Sequence, residues 1–253
     1  MITVVFEDKD FLVLEKPAGV VPNRSETAKE GTVQDWVESH YPLAPESASD
    51  TSLEVDGYPV GEEFLARSGI VHRLDKETSG LMAVARNPAA FAALKRQWMR
   101  REVVKEYTVL VYGSVRQLLT KKGYERSDEF TIDAPLDRHP KNPTKRAVVV
   151  GGRAAMTDFA IVKDFGDYTL LKARPKTGRT HQIRVHLAAL GFPVVGDEHY
   201  GGRKRIRESR AVLPRHFLHA GHLEFAHPTT GARVSFDSPL PPELAGFLKP
   251  LAK

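Results

Sequence analysis

The segment from Gly69 to Gly80 is the feature that most constrains what this chain can form. Its sequence, GIVHRLDKETSG, places a histidine, two cations, two carboxylates and two hydroxyl groups within nine positions. The apolar run from Leu81 to Ala85 follows at once and predicts a buried strand. A polar segment beside a core strand is either a solvated turn or an active-site loop held by a rigid strand. Spacing alone does not separate these two interpretations.

Length and composition indicate an ordinary globular protein. The 253 residues are 27% charged and 41% hydrophobic, which is enough to bury a full core in one domain or two. No apolar run approaches the ~20 residues of a membrane-spanning helix, and the first residues lack the pattern of a signal peptide. The chain has no cysteine, which excludes disulfides, cysteine nucleophiles and thiolate metal sites. This fits a cytoplasmic enzyme, our expectation, but also many secreted ones.

The charge distribution favours a polyanionic partner. The net charge is +5 and the isoelectric point is about 9.3. One acidic stretch, at about 42–66, predicts a mobile surface loop that avoids such a partner. Basic segments at about 114–146 and 201–215 predict extended loops with little core. Separate basic clusters against one acidic loop therefore favour an extended RNA- or DNA-binding face.

Periodicity and turn residues predict strands and helices along the whole chain. We expect a β-hairpin over 2–15, a helix capped by Thr32 that runs through Val37, and a helix that begins at Asn87-Pro88. A further helix is predicted over 181–190, with Thr180 as its N-cap. The remaining predicted strands are 105–113, 147–150, 157–162, 168–171, 222–225 and 232–236.

Several kinds of site are not supported by the sequence. No phosphate-binding loop of the Gly-x-x-x-x-Gly-Lys-Ser/Thr type occurs, and Ser79 lacks the flanking glycines of a serine nucleophile. His181 and His186 lie five residues apart, so on one helix they would point in different directions. The group His216, His219 and His222 falls in a predicted strand. We therefore expect no metal site.

Three segments resemble the signature sequences of the RluA-type pseudouridine synthases. They are HRLDKETSGL at 72–81, KEY at 105–107 and TGRTHQIRVHL at 177–187, and they stand in that family's order. The resemblance continues through Gly196-Asp197, Tyr200-Gly-Gly, Leu218-His-Ala220 and His227-Pro. It implies an α+β protein with the pseudouridine synthase fold: a mixed, largely antiparallel β-sheet flanked by helices, with a central RNA-binding cleft, no cofactor and no metal.

The resemblance also implies a reaction and roles for individual residues. A uridine in RNA would be isomerised by cleavage of its N-glycosidic bond, rotation of the uracil and reattachment through C5. Asp75 would be the catalytic aspartate, and its mode of action stays open between attack on the sugar, attack on the uracil and proton abstraction. Tyr107 would stack on the uracil, and Arg184 would pair with Asp75. Arg73 would fill the space left by the flipped base. Further RNA contacts are expected from His72, Arg100, Lys105, Arg179 and His181.

Alternative interpretations remain for the residues and for the whole chain. Tyr107 could be a core aromatic and Arg184 part of a structural ion pair. We expect a single catalytic domain over 1–253, without the S4-type RNA-binding domain of many relatives, acting as a monomer on structured RNA. Both tRNA and rRNA stay open as substrates. The competing class is a catalytically inactive RNA-binding protein on the same scaffold, whereas a glycosidase or nuclease would want a second carboxylate or a metal.

Overall fold

The described chain forms two compact units. A computed structural model defines residues 1–26, 28–42, 54–55, 57–123, 127–202 and 213–252. The first unit comprises Met1–Lys105 with Ala220–Ser238, and the second comprises Glu106–His219 with Pro239–Lys253. In the described part, no helix is both long enough and apolar enough to cross a membrane. The expectation of a single catalytic domain over 1–253 stays a prediction.

The first unit is a sheet packed against helices. Its strands are β1 (Thr3–Glu7), β2 (Phe11–Lys16), β3 (Glu54–Val55), β4 (Tyr58–Pro59), β5 (Ser79–Ala85), β12 (Leu218–Ala226) and β13 (Arg233–Asp237), and its helices are α1 (Val33–His40), α2 (Gly61–Ala66) and α3 (Pro88–Arg100). The sheet order is β1-β2-β5-β12-β13, and β3 pairs separately with β4. The pairings of β1 with β2, of β2 with β5 and of β12 with β13 are antiparallel.

The core of this unit holds β5, the strand at the end of the polar segment 69–80. Every residue of β5 is buried, as the apolar run predicts. Residues Phe11 and Val13 of β2 lie in the same hydrophobic cluster as Phe91 and Leu94, which α3 turns inward. The strand that follows Gly80 is therefore fixed by packing along its whole length.

Local capping signals place the helices where the sequence predicts them. Thr32 and Asp35 form a capping box at the start of α1, and the Asn87 side chain accepts a hydrogen bond from the backbone N–H of Ala90 at the start of α3. Pro88 occupies the first turn of α3, where its missing N–H is no loss. These two predictions are confirmed.

The second unit also consists of strands and helices. Its strands are β6 (Val104–Tyr112), β7 (Glu129–Asp133), β8 (Leu136–His139), β9 (Asn142–Val148), β10 (Met156–Asp164) and β11 (Tyr168–Pro175), and its helices are α4 (Val115–Lys121), α5 (Gln182–Ala189) and α6 (Pro242–Leu248), followed by a 3₁₀ turn at Lys249–Ala252. The sheet order is β6-β11-β10-β7, all antiparallel, and β8 pairs with β9 in a separate hairpin. Its core includes Val109 and Val111 of β6, Leu171 of β11, Leu187 of α5 and Leu244 of α6.

Two predicted loops contain regular structure. The segment 114–146 holds α4, β7, β8 and most of β9 instead of extended loops. Val115 and Leu119, four residues apart, are buried on α4, and this short apolar face is masked in the sequence by the basic residues around it. The predicted acidic loop at 42–66 ends in α2, whose Phe64 is fully buried. Its residues 43–53 and 56, and residues 124–126 and 203–212 of the predicted basic loops, lie outside the described residues.

Candidate active site

Both ends of the segment 69–80 lie against neighbouring backbone so closely that only glycine fits. Gly69 has a φ of +78°, and a Cβ there would lie 2.0 Å from the carbonyl oxygen of Ala85. Gly80 has a φ of +119°, and a Cβ there would lie 2.2 Å from the carbonyl oxygen of Ala220. Residues with a side chain rarely adopt such φ values, and no Cβ approaches an oxygen so closely. The segment is therefore fixed to β5 at one end and to β12 at the other.

Asp75 lies in the middle of this fixed segment. Its neighbour Leu74 is buried, Asp75 itself is half-buried, and Arg73 and Lys76 are exposed. The Asp75 carbonyl accepts a hydrogen bond of 3.1 Å from the backbone N–H of Thr78, which closes a tight turn. Thr78 and Ser79 are buried immediately afterwards. A carboxylate in this place has a rigid backbone and is still reached by solvent, which suits a reactive group.

His72 is fixed as a neutral side chain. Its Nε2 accepts a hydrogen bond of 2.9 Å from the backbone N–H of Ala83, and its ring stacks on Trp98 with centroids 4.8 Å apart. Burial, and secondarily the charge of Lys105, lowers the pKa of His72 to about 3. Because Nε2 accepts, the proton of the neutral ring lies on Nδ1. The predicted contact of His72 with RNA stays a prediction, and it would have to be made by a neutral ring.

Lys105 and Tyr107 lie two residues apart on β6, so their side chains project to the same side of the strand. Tyr107 is opposite Ala173 of β11 and packs against the hydrophobic cluster of the second unit. Burial lowers the pKa of Lys105. Glu106 projects to the other side of β6 and accepts hydrogen bonds from Lys172 and Arg174. The alternation separates this ion-paired group from the side that carries Tyr107.

Arg184 is held by a buried carboxylate that sequence reasoning did not single out. Its Nε donates to Asp197 Oδ2 at 2.7 Å and its Nη2 donates to Asp197 Oδ1 at 2.9 Å. Arg184 is 4% exposed and Asp197 is fully buried. Burial raises the pKa of Asp197, but the hydrogen bonds and charge of Arg184 outweigh it and the pKa is lowered. The expected pairing of Arg184 with Asp75 stays a prediction.

The turn before α5 differs from the predicted one. His181, with a φ of +58°, occupies the N-cap position instead of Thr180, and its side chain makes no cap hydrogen bond. The Gln182 side chain holds the turn instead, because its Oε1 accepts from the Arg179 N–H and its Nε2 donates to the Met156 carbonyl. A Gln at the first helical position gives no capping signal in the sequence, so Thr180 looked like the better cap.

Tyr200 joins the two predicted residues His181 and Arg184. Its hydroxyl lies 2.9 Å from His181 Nδ1, and the Arg184 guanidinium lies 5.2 Å from the centre of its ring. Asp197 Oδ1 also accepts hydrogen bonds from the backbone N–H groups of His199 and Tyr200. The Arg179 side chain donates to the Ala154 carbonyl. The second unit thus brings Arg184 and His181 together through Asp197 and Tyr200. In the sequence, these two linking residues are marked only by the Gly196-Asp197 and Tyr200-Gly-Gly parts of the family resemblance.

The basic residues of α3 differ in their exposure. Arg96 and Arg100 are exposed, whereas Lys95 is half-buried and pairs with Glu63 at 2.7 Å. Arg101 follows with a φ of +61° and ends the helix. Arg100 is thus on the surface of the first unit, where the predicted contact with RNA requires it.

One cluster in the described chain has the geometry of a cation site. Ligand atoms of Asp8, Asp10 and His227 lie within 4.8 Å of one another. All three side chains are bonded within the protein: Asp8 accepts from two backbone N–H groups and contacts His227, and Asp10 accepts from Thr229. These bonds tie the β1–β2 turn to the end of β12 and assign the cluster to the scaffold.

Comparisons with known proteins find relatives over nearly the whole chain. The sequence profile described as RNA pseudouridylate synthase matches residues 10–189. The chain is 37% identical over 250 residues to the uncharacterized RNA pseudouridine synthase YlyB of Bacillus subtilis, covering 99% of this chain and 73% of that protein. It is also 37% identical to the ribosomal large subunit pseudouridine synthase D of Pseudomonas aeruginosa, covering 97% of this chain and 70% of that protein.

Solved structures bear out the fold class. Human RNA pseudouridylate synthase domain containing 1 matches with a TM-score of 0.68 and 28% identity, over 96% of this chain and 86% of that one. Human RNA pseudouridylate synthase domain containing 4 matches with the same TM-score of 0.68 at 20% identity, which supports the fold alone. The prediction of a mixed, largely antiparallel sheet flanked by helices is confirmed.

Proposed function

The chain belongs to the RNA pseudouridylate synthase family, and from this premise we propose that its substrate is ribosomal RNA and that Asp75 carries the chemistry. Membership makes the chain an isomerase that converts uridine in RNA to pseudouridine. The observation that carries the residue assignment is the segment 69–80, which holds Asp75 half-buried between two glycines that tolerate no side chain. The proposal of ribosomal RNA is supported by relatives named for the large ribosomal subunit.

The reaction needs a carboxylate and a way to hold the detached base. Asp75 acts on the sugar or on the uracil while the N-glycosidic bond breaks, and the uracil turns and rejoins through C5. Tyr107 stacks on the uracil, where an aromatic ring holds a planar base and a hydroxyl can take part in removing the C5 proton. Arg184 supplies a cation whose direction is set by Asp197, because two parallel hydrogen bonds fix a guanidinium plane.

Substrate RNA is held by cationic side chains that contact phosphates and by Arg73, which replaces the target base. A uridine inside a stem is out of reach, so it is flipped, and the exposed Arg73 fills the space it leaves. Arg100, Lys105 and Arg179 contact phosphates, while His72 and His181 contact RNA as ring donors or acceptors. We also propose that the protein acts as a monomer in the cytoplasm.

The experiment that tests this function maps pseudouridine in total RNA from cells with and without the gene. We expect one or a few sites in ribosomal RNA to revert to uridine, and to be restored by the wild-type gene. Restoration by the Asp75→Asn gene would contradict the catalytic assignment. Loss of pseudouridine from tRNA alone would contradict the proposed substrate and leave the enzyme class intact.

Binding of RNA is expected to weaken with salt. Each phosphate contact releases counterions, so three contacts give a slope of log affinity against log salt of about −2 to −3. We would measure affinity with the Asp75→Asn protein, which prevents turnover, at several salt concentrations. Arg179→Gln is expected to make the slope about one unit shallower, whereas Arg233→Gln, at a surface pair with Glu224, leaves it unchanged. A slope near zero in the parent protein would rule out the phosphate contacts.

A further inference from the structure

Arg215 is a buried cation that joins the chain before β12 to helix α6. It is 5% exposed, its Nη2 donates to Glu243 Oε1 on α6 at 3.0 Å, and its Nη1 donates to the Leu218 carbonyl at 3.3 Å. Glu243 itself is exposed in the first turn of α6. A buried guanidinium is unfavourable unless its donors are bonded, so these partners help to keep Arg215 inside the protein.

The backbone at Arg215 lies against the loop 194–197. A Cβ on Gly196 would lie 2.1 Å from the Arg215 carbonyl oxygen, so no side chain fits between the two backbones. Two residues further on, the Phe217 N–H donates to the Val195 carbonyl at 2.8 Å. The close packing stops the two backbones from approaching, and the hydrogen bond resists their separation. The position of the loop therefore depends on where Arg215 is held.

The loop 194–197 ends in Asp197, the carboxylate that holds Arg184. Its two oxygens accept from the Arg184 guanidinium at 2.7 and 2.9 Å. His216, which follows Arg215 and is 4% exposed, also acts on this carboxylate: burial raises the pKa of Asp197, and the charge of His216, after that of Arg184, is among the causes that lower it. A shift of the loop would therefore carry the Arg184 guanidinium with it.

Helix α6 gives Arg215 a fixed anchor. Leu244, next to Glu243, is fully buried in the hydrophobic cluster of the second unit. Further along α6, the Phe247 ring packs edge-on against the Phe217 ring, with centroids 6.3 Å apart. The helix is thus held in the core, and it contacts the chain before β12 twice, through an ion pair at Arg215 and through ring packing at Phe217.

We infer that Arg215 is a positioning residue for the reaction: held by Glu243, it keeps the loop 194–197 in the place from which Asp197 directs the Arg184 guanidinium. The inference rests on the part proposed above for Arg184 in pseudouridine formation. Placement matters because a shift of about 1 Å in a catalytic arrangement can cost roughly 100-fold in rate. An arginine that only stabilised the fold would change the amount of folded protein and leave the rate of each folded molecule unaltered.

The test measures RNA affinity and the single-turnover rate of pseudouridine formation for each folded molecule. Arg215→Met removes every donor, Arg215→Lys keeps the positive charge, and Glu243→Gln removes the charge of the partner at the protein surface. The control is Leu119→Ala, which truncates a buried residue of α4 in the core of the same unit.

A second readout separates positioning from a general loss of structure. Arg215→Met is repeated in the variant Arg184→Met with Asp197→Leu, which has no ion pair left to direct. If Arg215 acts through Arg184, the two losses of rate are not additive, because residues that act through one another are coupled. A structural loss unrelated to Arg184 would lower the rate by the same factor in both backgrounds.

We expect Arg215→Met to lower the rate of the wild-type protein by roughly 10- to 100-fold with RNA affinity almost unchanged, Arg215→Lys to recover part of that loss, and Glu243→Gln to cost roughly threefold to tenfold. In the variant without the ion pair, Arg215→Met should cost less than about threefold. The inference is overturned if Arg215→Met loses no more rate than Leu119→Ala, loses RNA affinity alone, or loses the same factor in both backgrounds. If Arg215→Met does not fold, Glu243→Gln decides, and a wild-type rate in that variant overturns the inference.

The proposed function is tested separately. Absence of pseudouridine formation by the wild-type protein, or full activity of Asp75→Asn, would reject that function whatever the Arg215 variants do.

Discussion

Asp75→Asn is expected to abolish pseudouridine formation while the protein keeps its fold and its affinity for RNA. Asparagine has almost the same shape as aspartate but can neither attack as an anion nor accept a proton at neutral pH. We expect a loss of rate of at least about 1,000-fold, the range seen when a general acid–base group is removed. The measurement is single-turnover pseudouridine formation on ribosomal RNA fragments, with affinity measured on the same fragments.

The neighbouring carboxylate provides the matched control. Glu77 lies two residues away on the same segment and is also half-buried, so Glu77→Gln removes the same charge at nearly the same place. We expect its rate to stay within about threefold of wild type, less than the 1.4 kcal/mol of a tenfold change. Equal losses in both variants would indicate that negative charge on the segment matters in general, and would reject Asp75 as the reacting group. If Asp75→Asn lost RNA affinity while Glu77→Gln kept it, the role of Asp75 would lie in binding and not in chemistry.

The parts of the fold that were predictable are those fixed by local signals. Thr32 and Asn87 cap helices through their own neighbours in sequence, and the apolar run after Gly80 buries every residue of β5. Capping and periodicity act within a few residues, so the sequence carries them directly. The loop prediction for 114–146 was wrong for the complementary reason: β8 and β9 together have one buried residue, so no apolar pattern in the sequence marks their pairing with each other.

The chemistry of the site was predictable only through resemblance to a family. Physical reasoning left the segment 69–80 undecided between a turn and an active-site loop, and the structure adds the reason for its rigidity: two glycine contacts and the His72 ring. These contacts join residues up to 140 positions apart, as between Gly80 and Ala220. No local pattern in the sequence marks them. The same holds for the pairing of Asp197 with Arg184, because the Gly196-Asp197 pattern marks the residue but not its partner.

Asp197→Ala is expected to cost more stability than any surface substitution in this protein. It leaves the Arg184 guanidinium buried without its bidentate partner and removes the acceptor for the N–H groups of His199 and Tyr200. Breaking a buried ion pair from one side costs about 3–5 kcal/mol. The free energy of unfolding in urea measures this, and Glu224→Gln, at an exposed pair with Arg233, is the control with an expected change of at most about 1 kcal/mol.

The pH dependence of the free energy of unfolding gives a second test of the ion pair between Arg184 and Asp197. The folded protein holds the pKa of Asp197 below its ordinary value of 3.8. A lowered pKa means that the stabilisation is complete above the unfolded pKa and is lost as the pH falls through the folded value. The difference in stability between wild type and Asp197→Ala should therefore be constant near neutral pH and shrink below about pH 4. A difference that grew on acidification would contradict the ionised pair.

A double variant separates the stabilising role of Arg184 from its proposed part in catalysis. Replacing both members by apolar residues, Arg184→Met with Asp197→Leu, removes the buried charges together, and such replacements are often neutral or stabilising. We expect the double variant to recover most of the stability lost in Asp197→Ala and yet to form pseudouridine at least about 100-fold more slowly than wild type, because the oriented cation is gone. Recovery of both stability and rate would assign Arg184 to the scaffold and leave Asp75 and Tyr107 as the proposed catalytic residues.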